Sequence, residues 1–132
     1  MYKPFLTTAG VLGALTVAAG AFGAHGLRGI LSTDTLQIYE TAVKYQFFHV
    51  FALLAAGILY QAFPNRRILW SGRFFLLGIL LFCGSLYGLT YLEATGNPSM
   101  NWIGFLTPLG GLCFMAGWIL IAFGVRKLPN AG

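Results

Sequence analysis

Four apolar stretches take up most of this chain, over about residues 5–27, 45–63, 68–92 and 102–125. Each is close to the length needed to cross a hydrocarbon core of about 30 Å. Short polar connections separate them. Inside a bilayer no water is present to satisfy backbone N–H and C=O groups, so every such stretch has to bond within itself, as a helix. The composition leaves no soluble alternative. A 132-residue domain has too high a surface-to-volume ratio to bury a sequence that is 58% hydrophobic. Only 8% of its residues are charged, against about 25% in ordinary soluble domains. The predicted fold class is therefore an all-α, integral membrane four-helix bundle, one transmembrane domain over residues 1–132.

The joints between the stretches carry their own signals. Lys3 precedes segment one, whose apolar run is longer than a signal-peptide core and is expected to stay as a span. Small residues four apart, Gly10 with Ala14 and Gly20 with Ala24, together with Gly23, predict close approach of a second helix. Ser32, Thr33 and Asp34 are candidate helix caps, and Asp34 with Gln37 resembles a capping box. From there Leu36, Tyr39, Val43, Phe47 and Val50 follow one helical face, with Glu40 and Lys44 on another. This predicts a short amphipathic interfacial helix over about 34–44, leading into segment two. Pro64 and Asn65 close segment two, and Gly96, Asn97 and Pro98 mark the last loop. Gly84-x-x-x-Gly88 in segment three reads as a packing motif. In segment four Gly110, Gly117 and Gly124 recur every seven residues, so one face is nearly bare backbone.

Four spans put the N-terminus, the 64–67 loop and the C-terminus on one side. Lys3, Arg66, Arg67, Arg73, Arg126 and Lys127 fall there, against Arg28 and Lys44 on the other side. That bias predicts both termini inside. The net charge of +5 is thus an orientation signal that flanks apolar segments, and nucleic acid is not an expected partner. Cys83 and Cys113 lie in apolar runs without a C-x-x-C partner, as small core residues would.

Projected on depth at about 1.5 Å per residue, the polar side chains crowd toward the outer ends of the segments. His25 closes segment one, with Glu40, Tyr45, Gln46 and His49 around the start of segment two. Ser85 and Tyr87 lie in the outer half of segment three, and Thr107 and Pro108 open segment four. The inner halves are nearly all Leu, Ile, Phe, Ala and Gly. Polar groups in lipid are costly unless partnered and usually face the bundle interior. One polar cluster in the outer half is therefore expected, with Pro108 freeing the carbonyl of residue 104 for a further partner.

Four motifs in order, G-A-F-G-A-H-G-L (20–27), E-T-A-V-x-Y-Q-x-x-H (40–49), G-S-L-Y (84–87) and T-P-L-G-G-x-x-F-x-x-G-W (107–118), give the chain its likeness to known sequences. Together they resemble the YgdD/YwdK-type family of small bacterial membrane proteins of unknown function. The resemblance covers nearly the whole chain. It implies a multi-pass protein of the bacterial inner (plasma) membrane, and it implies no activity. The family's motif positions here are Gly23, His25, Gly26, Glu40, Tyr45, Gln46, His49, Ser85, Tyr87, Thr107, Pro108, Gly110, Gly111, Gly117 and Trp118.

The chemistry of the polar residues points in several directions. His25 and His49 invite a haem or metal reading, but they differ in depth by roughly 6 Å, and no further ligand spacing accompanies them. Ser85, His49 and Glu40 can be drawn as a triad, yet Ser85 follows a glycine in a packing motif and has an ordinary role in bonding across helices. No catalytic residue, metal or cofactor is expected. The preferred function is a non-enzymatic scaffold or accessory subunit. The alternative is an outer-leaflet pocket for a lipid headgroup, quinone or small solute, with His25, Glu40, Tyr45, Gln46, His49, Ser85, Tyr87 and Thr107 as its candidate lining. Expected partners are membrane lipids and either a homo-oligomer or a larger membrane complex.

Overall fold

The computed structural model describes residues 1–96 and 101–126. Asn97 and Pro98 of the last loop, and Lys127 and Pro129 at the end, lie outside them. The described residues are helical, in the order α1 (Lys3–Phe22), α2 (Thr33–Ala62), α3 (Arg66–Gly78), α4 (Gly84–Ala94) and α5 (Leu106–Gly124). A π-helical turn, Gly23–Leu27, prolongs α1, and a second one, Ile79–Cys83, joins α3 to α4 into a single span. A 3₁₀ turn, Asn101–Phe105, leads into α5. Four helices, Lys3–Leu27, Thr33–Ala62, Arg66–Ala94 and Trp102–Gly124, are long and apolar enough to cross a membrane.

Local chemistry sets the helix ends. Pro4 occupies the first turn of α1, where its missing N–H costs nothing. Ser32 caps α2 by accepting from the Thr35 amide at 3.2 Å, so the cap is Ser32 and not Asp34, which lies in the first turn. Asn65 caps α3 through the amides of Arg67 and Ile68. Gly96 supplies the left-handed conformation after α4, at φ +71°, a region that costs other residues energy.

One expectation is corrected here. The interfacial helix over 34–44 is not a separate element. It is the first part of α2, which continues unbroken to Ala62. No proline interrupts that stretch, its one glycine, Gly57, lies well beyond residue 44, and Tyr39 and Ala42 are buried in the bundle. At 1.5 Å per residue α2 is about 45 Å long, well beyond a hydrocarbon core of about 30 Å. Pro108 lies inside the fourth span, as expected, as the third residue of α5 after the 3₁₀ turn, where first-turn amides have no partner within α5.

α2 is central and packs against α1, α3 and α4, while α3 and α5 form a second antiparallel pair. The register of that pair is a ladder of small against large. Gly124 faces Ile68, Gly117 faces Phe75, and Gly110 faces the backbone and Cβ of Phe82. Phe114 of α5 returns the arrangement against Gly78. A Cβ at any of these glycines would come closer than 3.0 Å to its neighbour. Both rows repeat every seven residues and run in opposite directions, so one large side chain fills each bare site. Gly23 receives Tyr39, and Gly72 receives Phe5. Gly84 has no neighbour within reach, Gly88 touches only Ile103 at 3.7 Å, and Gly20 meets Val43 at 3.6 Å. The G-x-x-x-G motif at Gly84 and Gly88 is therefore not a close crossing; the glycine row of α5 is. Large apolar side chains such as Val11, Leu15, Phe51, Leu80 and Leu112 are exposed around the waist, as a lipid-facing surface requires.

Candidate functional site

The polar side chains separate into three small groups on different sets of helices. In the first, Tyr87 of α4 donates to Gln46 Oε1 at 2.7 Å. Gln46 Nε2 donates to Thr16 Oγ1 at 2.7 Å, and the Thr16 hydroxyl donates in turn to the Leu12 carbonyl at 2.6 Å. This relay ties α4, α2 and α1 together through the bundle interior. Tyr39 adds a second tie to α1, donating to the Ala19 carbonyl, with its ring 5.5 Å from that of Tyr87. In the second group, Ser85 of α4 meets Thr107 of α5 at 2.5 Å.

The third group is built on His49. Its ring is buried and stacks on Phe114 at 3.5 Å between centroids. Nδ1 lies 2.8 Å from the Tyr45 carbonyl, which can only accept, so Nδ1 carries the proton. Nε2 then accepts from the Trp118 indole N–H at 3.2 Å. Both ring nitrogens are occupied, and the geometry selects the neutral Nδ1–H tautomer. Beside this pair a groove of about 630 Å³ opens between α2 and α5, lined by Tyr45, His49, Phe82, Pro108, Leu112 and Trp118 among others.

His25 is exposed on the π-helical turn. Gly23 abuts Tyr39, and His49 lies ten residues further along α2, about 15 Å away along its axis. His25 continues in the opposite direction, so the two imidazoles do not converge. Glu40 is exposed at a shallow cavity beside Gly20 and Lys44. Neither Glu40 nor His49 approaches Ser85, whose hydroxyl is engaged with Thr107 and with the Phe82 carbonyl at 2.8 Å. Among the described residues no three His, Cys, Asp or Glu side chains lie close enough to hold a metal ion.

The expectation of one cluster in the outer half is corrected by these positions. Trp118 lies about 9 Å from the Gly124 end of α5, in the half expected to be nearly all Leu, Ile, Phe, Ala and Gly. Three participants were also absent from the candidate lining: Thr16, Tyr39, placed only on a helical face, and Trp118, known only as a motif position. Thr16 is the one polar side chain in the middle of segment one, and an isolated hydroxyl at that depth is itself a signal. Thr35 likewise donates to Glu93 at 2.9 Å, joining the start of α2 to the end of α4.

Residues 19–111 match the family model described as protein of unknown function (DUF423). The chain is 42% identical over 127 residues to a UPF0382 membrane protein of Haemophilus influenzae, covering 96% of this chain and 97% of that one. It is 37% identical over 121 residues to the UPF0382 membrane protein SH2409 of Staphylococcus haemolyticus, covering 89% and 93%. Identity to the UPF0382 inner membrane protein YgdD of Escherichia coli K12 is 36% over 127 residues, covering 96% and 92%. No solved structure matches the chain. Four apolar spans, the matched model and relatives of nearly equal length together make this chain a multi-pass protein of the bacterial inner membrane that belongs to the DUF423 family.

Proposed function

We propose that this protein is a non-enzymatic scaffold or accessory subunit that presents its helices to a second copy of itself or to a larger membrane complex. The observation that carries this reading is the completeness of its internal bonding. Among the described residues, every buried side-chain nitrogen and oxygen has a partner. A catalytic or transport site keeps polar groups aimed at a substrate, whereas here Tyr87, Gln46, Thr16, Ser85, Thr107 and His49 spend theirs on neighbouring helices. Such bonds are worth about 0.6 kcal/mol each on average in a membrane, and they set rotation and register more than they add stability. The charge bias supports a cytoplasmic side for the end bearing Lys3, Arg66 and Arg126.

A second reading is favoured by the groove beside Trp118. Its apolar and aromatic lining suits an acyl chain or a quinone ring better than a headgroup or a polar solute. Extraction in native lipid, followed by mass measurement of the intact particle, separates the two. A stoichiometric protein assembly supports the scaffold. A single chain carrying one defined small molecule, released by Leu112→Trp, overturns it in favour of the groove.

A further inference from the structure

The end of the bundle where the 63–65 turn meets the close of α5 holds a cavity that the polar groups above do not use. Its volume is about 210 Å³, and it is lined by Asn65, Arg66, Arg67, Gly124 and Arg126. Asn65 braces it, donating from Nδ2 to the Gly124 carbonyl at 2.9 Å while its Oδ1 accepts from the backbone of Arg67 and Ile68. Two of the three guanidinium groups are held in place. Arg67 Nη1 donates to the Phe123 carbonyl at 3.3 Å, and the Arg126 guanidinium lies over the Phe123 ring at 5.0 Å.

These three cations have no side-chain carboxylate near them. The chain has three acids. Asp34 and Glu40 lie in the first turns of α2, and Glu93 bonds to Thr35 beside them, all at the opposite end of the bundle. Like charges around one cavity repel unless a counter-charge arrives from outside. The cavity sits where the spans Thr33–Ala62, Arg66–Ala94 and Trp102–Gly124 begin or end, which is headgroup level in a bilayer. About one to two turns further along α3, the Arg73 guanidinium stacks over Trp70 at 4.9 Å, a pair of the kind that anchors near the interface.

We propose that Arg66, Arg67 and Arg126 form a binding site for the phosphate of an anionic phospholipid. Arginine suits it, because the planar guanidinium donates two parallel hydrogen bonds to phosphate oxygens. A volume of about 210 Å³ equals some seven water volumes at about 30 Å³ each, ample for one phosphate. Depth selects a lipid over a free anion, since the acyl chains lie alongside the spans.

The test uses the full-length protein in detergent micelles doped with equal amounts of dioleoyl phosphatidylglycerol and dioleoyl phosphatidylcholine, with native mass spectrometry counting retained lipid. The unaltered protein is expected to retain phosphatidylglycerol at least about tenfold better. Arg66→Gln, Arg67→Gln and Arg126→Gln are each expected to lower that preference about fivefold, and the triple variant to abolish it. Arg28→Gln with Lys44→Gln, at the other end, should leave it unchanged, and millimolar inorganic phosphate should not displace the lipid. Equal retention of both lipids, an unchanged preference in the triple variant, or displacement by inorganic phosphate would overturn the assignment. If the triple variant loses its helical circular dichroism, the salt dependence of retention by the unaltered protein decides: a preference that does not weaken as sodium chloride rises refutes an arginine–phosphate site.

Discussion

The indole N–H of Trp118 on α5 points at Nε2 of His49 on α2, at 3.2 Å, with the imidazole pressed flat on Phe114. This contact couples two helices that share little else, and it gives the buried histidine a fixed tautomer. Trp118→Phe keeps the aromatic bulk and removes the only donor to Nε2 among the described residues. An unpaired buried acceptor costs about 1–3 kcal/mol, so thermal unfolding in detergent should fall accordingly. His49→Phe combined with Trp118→Phe should lose less than the two single losses added together, since the double variant leaves no unpaired ring nitrogen. Strict additivity in that cycle would remove the bond from the account.

Gln46 is the hinge of the relay from Tyr87 to Thr16. Gln46→Leu keeps the volume and orphans the Tyr87 hydroxyl, whereas Thr16 retains its bond to Leu12. The expected loss is about 0.6–1.7 kcal/mol, and Tyr87→Phe introduced on top should cost almost nothing more. A second full loss from Tyr87→Phe would mean that its hydroxyl has another partner.

The glycine ladder predicts an asymmetry among alanine substitutions. Gly110→Ala drives a methyl into the backbone of Phe82, which cannot swing aside. It should destabilise by about 1–3 kcal/mol or more. Gly84→Ala meets open space and gains helix propensity, so it should be neutral or stabilising by up to about 1 kcal/mol. Midpoints of unfolding by guanidinium or heat, measured side by side, check both signs.

Asn65 does two jobs, capping α3 and bonding to Gly124. Asn65→Ala should cost about 0.5–2 kcal/mol for the cap together with the lost tie to α5. Asn65→Asp keeps the cap acceptor and gives up the donor to Gly124. It should recover most of the stability while leaving the end of α5 more exposed to hydrogen exchange. Equal losses in the two variants would make the cap irrelevant.

Residues near one another in sequence were read well. Pro64 with Asn65 marked the end of α2, Gly96 marked the turn after α4, and the seven-residue spacing of Gly110, Gly117 and Gly124 marked a face without side chains. The candidate site was read less well. Gln46, Tyr87, Ser85 and Thr107 do bond to other helices, but His25 stands outside and Glu40 faces away from the interior. Trp118 was known only as a motif position and not as a bonding partner, and Thr16 entered only with the folded chain. Depth along a span follows from residue number at a constant rise. The direction a side chain faces around the helix axis does not follow from it.

That difference has a physical origin. Helical hydrogen bonds close within four residues and hydrophobicity adds up along a segment, so the number of spans, their limits and their membrane address are written in the order of amino acids alone. Which polar groups meet depends on how each helix is rotated against its neighbours. Here that rotation is set by Ile68, Phe75 and Phe82 seating on Gly124, Gly117 and Gly110, with Phe114 seating on Gly78. Those contacts turn Trp118 toward His49 and require two helices far apart in sequence to have already come together.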